Sequence, residues 1–71
     1  MSVAKIIEIS SESEKGFEDA IEKGIARASK TIKNIAGAWV KEQAVAVKNG
    51  KITSYRVNLM VTFVLDDKVD A

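Results

Sequence analysis

The stretch Ile52–Leu65 reads ITSYRVNLMVTFVL, and its side chains alternate in character from one residue to the next. The side chains that point one way are aromatic or aliphatic: Tyr55, Val57, Leu59, Val61, Phe63 and Leu65. A period of two over this length predicts a long strand with one buried face. Met60 and Val64 fall on the second face, which is therefore not fully polar. A chain of 71 residues is too short to cover that face itself.

The rest of the chain adds a strand, a helix and a second long strand upstream of this stretch. Alternation predicts a first strand over Val3–Ile9, and a helical period follows over Glu14–Lys33. A further strand is predicted over Ala38–Val47. Asn49-Gly50 then supplies the positive φ values of a type I′ hairpin turn. The order of elements is therefore β-α-β-β.

The predicted helix has one apolar stripe and recognisable ends. The stripe consists of Phe17, Ala20, Ile21, Gly24, Ile25, Ala28 and Ile32. Ser13 is the expected N-cap, and Asn34 is the expected left-handed C-cap. Gly24 on the stripe costs roughly 1 kcal/mol of helix stability relative to alanine. We expect this glycine to allow close approach of the helix to a sheet.

These elements predict an α+β domain in which one amphipathic helix packs on a small antiparallel sheet. Residues 1–71 are expected to form this single domain, with a loose tail over residues 66–71. If alternation continues from Gly37 onward, the sheet face opposite the helix carries Trp39, Val45, Val47, Met60 and Val64. Such a surface is either a protein interface or a platform for a ligand.

Composition narrows the possible functions. The chain contains no cysteine and no histidine, which removes disulfides, thiolate zinc sites and an imidazole base. No nucleophile–base pair can be assembled, so we do not expect an enzyme. A domain this small buries only about 60% of the surface of its unfolded chain, which favours oligomerisation. The net charge of +1 and the lack of a long apolar run predict a soluble, cytoplasmic protein that binds neither nucleic acid nor membrane.

Nearly the whole chain, from Val3 to Asp67, resembles the dodecins. The resemblance rests on the opening VAKIIEISSES, the helix phrase FEDAIEKGIARASKTIKNI, the segment VKEQAVAV and the closing TSYRVNLMVTFVLDD. It implies a hollow homododecamer of β-α-β-β subunits that stores flavins such as riboflavin or FMN. In the family, flavin rings stack between tryptophans of two-fold-related subunits, and a glutamine of the last strand hydrogen-bonds the ring. Some bacterial members are associated with coenzyme A.

The chain departs from the dodecin pattern at the flavin-binding positions. Gly37 aligns with the stacking tryptophan, Trp39 stands where the family often has glutamate, and Arg56 replaces the glutamine. A branch of dodecin-like proteins without that tryptophan is linked with calcium, and the Glu-Gln-x-x-Ala-Val and Gly-Lys-Ile-Thr phrases resemble that branch. The resemblance thus implies small-molecule storage with altered flavin binding. The alternative is a non-flavin oligomer that binds calcium at carboxylates between subunits.

Four positions are candidate cofactor-binding residues: Gly37, Trp39, Gln43 and Arg56. Trp39 is either a displaced stacking platform or an interface anchor against a neighbouring subunit. Arg56 either holds a flavin phosphate, a ring carbonyl or a coenzyme A phosphate, or pairs with Glu42 or another subunit's carboxylate. Gln43 either replaces the missing glutamine or is an ordinary polar strand residue.

Carboxylates are the candidate calcium ligands, and they are expected either to collect at a symmetry axis or to be ordinary solvated side chains. They are Glu8, Glu12, Glu14, Asp19, Asp66 and Asp67.

Overall fold

The computed structural model describes residues 3–65, which form one helix and a three-stranded antiparallel sheet. The elements are β1 (Ala4–Ser13), α1 (Phe17–Ala28), β2 (Ile35–Lys48) and β3 (Lys51–Val64). The predicted β-α-β-β order and the α+β class are confirmed. The predicted loose tail lies outside the described residues. No helix in the described part of the chain is long and apolar enough to cross a membrane.

The strand order is β1-β3-β2, so the alternating C-terminal strand lies in the middle of the sheet. Its odd-numbered side chains face the helix, as predicted. Val57, Leu59 and Val61 are fully buried there and pack with Ala20 of α1. Asn49 and Gly50 have φ values of 53° and 77°, which confirms the type I′ geometry of the β2–β3 hairpin.

The helix is shorter than its sequence pattern predicted. Ser13 is the last residue of β1, where it pairs with Tyr55, and the N-cap position belongs to Gly16. The Ser13 hydroxyl accepts a hydrogen bond from the Lys15 backbone N–H at 2.9 Å, before the helix begins. The prediction of Ser13 as N-cap was therefore wrong, because sheet pairing holds this residue in the strand.

The C-terminal end of the helix also differs from the prediction. The chain leaves the α-helix at Ala28, and shorter-range bonds follow, including one from the Thr31 N–H to the Ala28 carbonyl at 3.1 Å. Asn34 is left-handed, with φ of 64°, but it lies beyond these turns and leads into β2. Its carbonyl accepts from the Val64 N–H at 3.0 Å. Asn34 therefore turns the chain into the sheet and does not cap the helix.

Gly24 brings the helix close to the sheet, as its place on the apolar stripe predicted. A Cβ at this position would lie 3.0 Å from the Ser11 Cβ and 3.3 Å from the Leu59 Cδ1. The most buried line of the helix runs through the small residues Ala20, Gly24 and Ala28. Small residues at this spacing place the helix axis near β1 and β3.

The helix leaves β2 without cover. It packs on β1 and β3, whereas almost every residue of β2 is exposed. Val40 and Val45 on the helix side of β2 are 38% and 40% exposed, and Trp39 on the other side is 50% exposed. The described chain extends 59 × 19 × 12 Å, which is a flat and elongated shape. Strand β2 is therefore an edge strand that is open on both of its faces.

Candidate functional site

The candidate site lies on the outer face, which we define as the sheet face opposite α1. Each strand contributes alternate residues to this face, and directly opposed residues share a face. The half of the outer face nearest the start of β2 is mostly apolar: Ala4, Ile6, Gly37, Trp39, Met60 and Val64. The half nearest the β2–β3 hairpin is mostly polar and carries Glu12, Glu42, Ser54, Arg56 and Asn58. Trp39 lies near the boundary between these halves.

Trp39 and Gly37 are neighbours on the outer face, as the alternation predicted. Trp39 pairs with Met60 and Gly37 pairs with Thr62 on the central strand. A Cβ built on Gly37 would meet no atom within 4 Å. The backbone beside the indole is therefore open, and a flat molecule could approach it closely.

A β-bulge changes which residues of β2 share the face of Trp39. The register shifts between Val40, which pairs with Leu59, and Glu42, which pairs with Asn58. Lys41 is the extra residue, and alternation is interrupted there. As a result Gln43 and Val45 pair with Val57 and Tyr55, which both face the helix.

The expectation that Val45 lies on the outer face was therefore wrong. The structure also separates Gln43 from Trp39, because the two side chains belong to opposite faces of the sheet. Within one chain, Gln43 cannot meet the same ligand atoms as Trp39.

Arg56 lies on the outer face with Trp39, but at a distance. It is opposed by Glu12 on one side and Ala44 on the other, four residues before Met60 on β3. At roughly 3.3 Å per residue, this separates the Arg56 and Met60 Cα atoms by about 13 Å. Within residues 3–65 the guanidinium makes no ion pair, so the expected partner Glu42 does not hold it. The Ser54 hydroxyl donates to Glu12 Oε2 at 2.7 Å beside it.

The outer face also carries a polar group that the sequence pattern did not reveal. Lys41 Nζ donates to Glu8 Oε1 at 3.2 Å, and Asn58 Nδ2 donates to Glu8 Oε2 at 3.3 Å. We call these three residues the Glu8 bridge, because they join β2, β3 and β1 across the outer face. Strict alternation places Lys41 on the same face as Trp39, two residues before it. The contact with Glu8 depends on the strand order β1-β3-β2, which the local alternation of side chains does not specify.

The candidate calcium ligands do not gather within the chain. Glu8 and Glu12 are held by the contacts just described, and Asp19 accepts from the Ser13 hydroxyl at 2.6 Å and pairs with Lys23 at 3.3 Å. The Ser13 hydrogen bond, followed by the Lys23 charge, lowers the pKa of Asp19. Over residues 3–65 no group of three acidic side chains could hold a metal ion. Asp66 and Asp67 lie outside the described residues.

A groove lies away from the outer face, between β1 and α1. Its volume is about 470 Å³, and its walls include Ile9, Gly24, Arg27, Ala28 and Ile32. Every buried side-chain N or O atom of the described residues has a hydrogen-bond partner. This groove therefore presents no unsatisfied polar atom that would indicate a ligand.

Solved structures similar to this chain include several dodecins. The tt0972 protein from Thermus thermophilus is 34% identical with a TM-score of 0.89, and the match covers 96% of this chain and 100% of that chain. Dodecin from Streptomyces davaonensis is 32% identical with a TM-score of 0.87, covering 93% and 97% of the two chains. The calcium dodecin of Mycobacterium tuberculosis, a calcium-chelating antigen, is 37% identical with a TM-score of 0.77, covering 94% and 96%.

The match to a family profile agrees with these structural similarities. A search of curated protein sequences gave no significant match. The profile of the Dodecin family matches residues 3–66, which is nearly the full length. Dodecins are small binding and storage proteins, and the family forms homo-oligomers. The sheet order, the single helix on one sheet face and this full-length match together show that the chain belongs to the dodecin family.

Proposed function

We propose that this protein is a homo-oligomeric binding and storage protein that holds a planar small molecule on its outer face. The observation that carries the proposal is Trp39, a half-exposed indole beside the open backbone of Gly37. Aromatic surfaces bind flat heterocycles by stacking, and they exclude water as they do so. Binding of this kind requires no bond to be made or broken, and we propose no catalytic activity.

Oligomerisation is proposed because β2 is open on both faces and at its free edge. An edge strand of 14 residues with exposed valines is a surface that soluble proteins usually cover. A dodecamer is the assembly implied by the resemblance, and other copies of the chain would supply the cover. A cytoplasmic location is part of the same proposal.

A flavin, either riboflavin or FMN, is the first candidate ligand. In this hypothesis Trp39 and Gly37 meet the ring, and Arg56 contributes a cation about 13 Å further along the sheet that suits a phosphate. Gln43 can contribute only from a neighbouring copy, because it lies on the helix side of its own sheet. The absence of a second indole at Gly37 predicts weaker binding than a two-sided stack would give.

The test is a fluorescence titration of riboflavin and FMN with the purified protein. Stacking on Trp39 should quench the flavin fluorescence, and Trp39→Ala should abolish the quenching while the oligomer mass in analytical ultracentrifugation stays the same. If Trp39→Ala instead dissociates the oligomer, Trp39 is an interface anchor. If neither flavin is quenched by an intact oligomer, flavin storage is refuted.

The second candidate is a non-flavin oligomer that binds calcium, and it is favoured by the 37% identity to a calcium dodecin. Residues 3–65 of one chain hold no cluster of three carboxylates, so such a site would combine carboxylates of several copies. Calorimetric titration with Ca²⁺, and the particle mass with and without chelator, test this function. Calcium binding by a protein that leaves flavin fluorescence unchanged would establish it.

A further inference from the structure

The Glu8 bridge lies level with Trp39 on the outer face. Trp39, Met60 and Glu8 are directly opposed across β2, β3 and β1, so they form one row perpendicular to the strands. At roughly 4.8 Å between strands, the Trp39 and Glu8 Cα atoms are about 10 Å apart. This separation is comparable with the length of a fused three-ring heterocycle. A flat ligand that reaches from the indole across Met60 would therefore bring its far edge to Glu8.

The side chains at that end of the row are accessible and chemically complementary to each other. The side chains of Lys41 and Glu8 are 54% and 41% exposed. A carboxylate has about four acceptor sites and an ammonium has three donors, so both groups keep spare capacity after their mutual bond. Their charges cancel, which favours the polar edge of a neutral ring over a charged group. An acceptor beside a donor matches a ring N–H that is adjacent to a ring carbonyl.

We propose that the Glu8 bridge recognises the amide or imide edge of the planar heterocycle that lies against Trp39. The ring N–H donates to the Glu8 carboxylate, and the neighbouring carbonyl accepts from the Lys41 ammonium. Asn58 holds the Glu8 carboxylate in place through its hydrogen bond of 3.3 Å. The ligand class is that of heterocycles with an N–H next to a carbonyl, as in the isoalloxazine ring. This inference rests on the proposed binding at Trp39.

The test compares riboflavin with N3-methylriboflavin, which keeps the ring but has no imide N–H. The protein should bind riboflavin about tenfold or more tightly than the methylated flavin, as expected for a hydrogen bond to a charged group. Glu8→Ala should reduce this ratio to near one. The matched control is Glu12→Ala, which removes a carboxylate from the same strand and face and should leave the ratio unchanged.

The outcomes separate the two proposals. Trp39-dependent binding of both flavins with equal affinity would overturn edge recognition and leave the stacking platform standing. A ratio that survives Glu8→Ala, or that Glu12→Ala also abolishes, would overturn the role of Glu8. Failure of the intact oligomer to bind either flavin would overturn both proposals. Dissociation of the oligomer by Trp39→Ala would overturn edge recognition as well, because the row of Trp39, Met60 and Glu8 would then be a contact surface for a second copy of the chain.

Discussion

Replacing Gly37 by tryptophan should raise the affinity of this protein for flavin. A Cβ at Gly37 meets no atom within 4 Å, and its φ lies outside the left-handed region, so the backbone there accepts a side chain without strain. Gly37 and Trp39 share the outer face two residues apart, about 6.8 Å along the strand. The added indole therefore lies beside the ligand proposed at Trp39.

The expected gain follows from the energy of one stacking contact. Stacking of a heterocycle on an aromatic side chain contributes about 1–3 kcal/mol, which corresponds to about 5- to 150-fold in affinity. The assay is the riboflavin fluorescence titration, with size-exclusion chromatography to verify that the assembly is unchanged. Gly37→Ala is the control, because it fills the same open position without an aromatic face.

The result that refutes this reasoning is a Gly37→Trp protein that assembles normally but binds riboflavin no more tightly than Gly37→Ala. Such a result would mean that no flavin lies within reach of position 37. Trp39 and the outer face around it would then be interpreted as a contact surface between copies of the chain.

Three further predictions concern the packing and charge of the fold, and each is measured by urea unfolding at one fixed protein concentration. Gly24→Ala should lower the free energy of unfolding by up to about 2 kcal/mol despite its better helix propensity, because the added Cβ would meet the Ser11 Cβ at 3.0 Å. The control Ala26→Gly, at an exposed position of the same helix, should cost about 1 kcal/mol. A Gly24→Ala protein that is more stable than the wild type would contradict the close approach of helix and sheet. Leu59→Ala should cost about 2–5 kcal/mol, because Leu59 is buried in the core, and a cost near zero would show that the core lies elsewhere. Asp19 has a lowered pKa in the folded state, so its stabilising contribution is complete above the ordinary Asp pKa of 3.8 and is lost as the pH falls through the lower folded value. Asp19→Asn should therefore reduce the loss of stability that the protein shows at acid pH. An unchanged dependence of stability on pH would exclude a role for Asp19.

Much of the fold could be predicted because its signals are local. The alternation of Ile52–Leu65 requires only that successive strand side chains point to opposite faces, and it correctly gave the buried side chains of β3. The Asn49-Gly50 turn is a property of two residues, and its geometry matched. The ends of the helix were less predictable, since pairing of Ser13 with Tyr55 overrides the capping preference of a serine.

The candidate site depends on contacts that the local sequence does not encode. Trp39, Gly37 and Arg56 share the outer face, as alternation indicated, but Gln43 does not. The reason is the bulge at Lys41, which arises when β2 is matched to β3 and shifts residues 42–46 of β2 to the other face.

Periodicity along the chain was thus sufficient to predict the secondary-structure elements, their order and the buried face of β3. The register between β2 and β3 set the composition of the outer face, because it fixes which side chains are opposed across strands. The Glu8 bridge belongs to this second category. Glu8 and Lys41 are 33 positions apart along the chain, and Lys41 and Asn58 are 17 positions apart. The three residues meet only because three strands lie side by side.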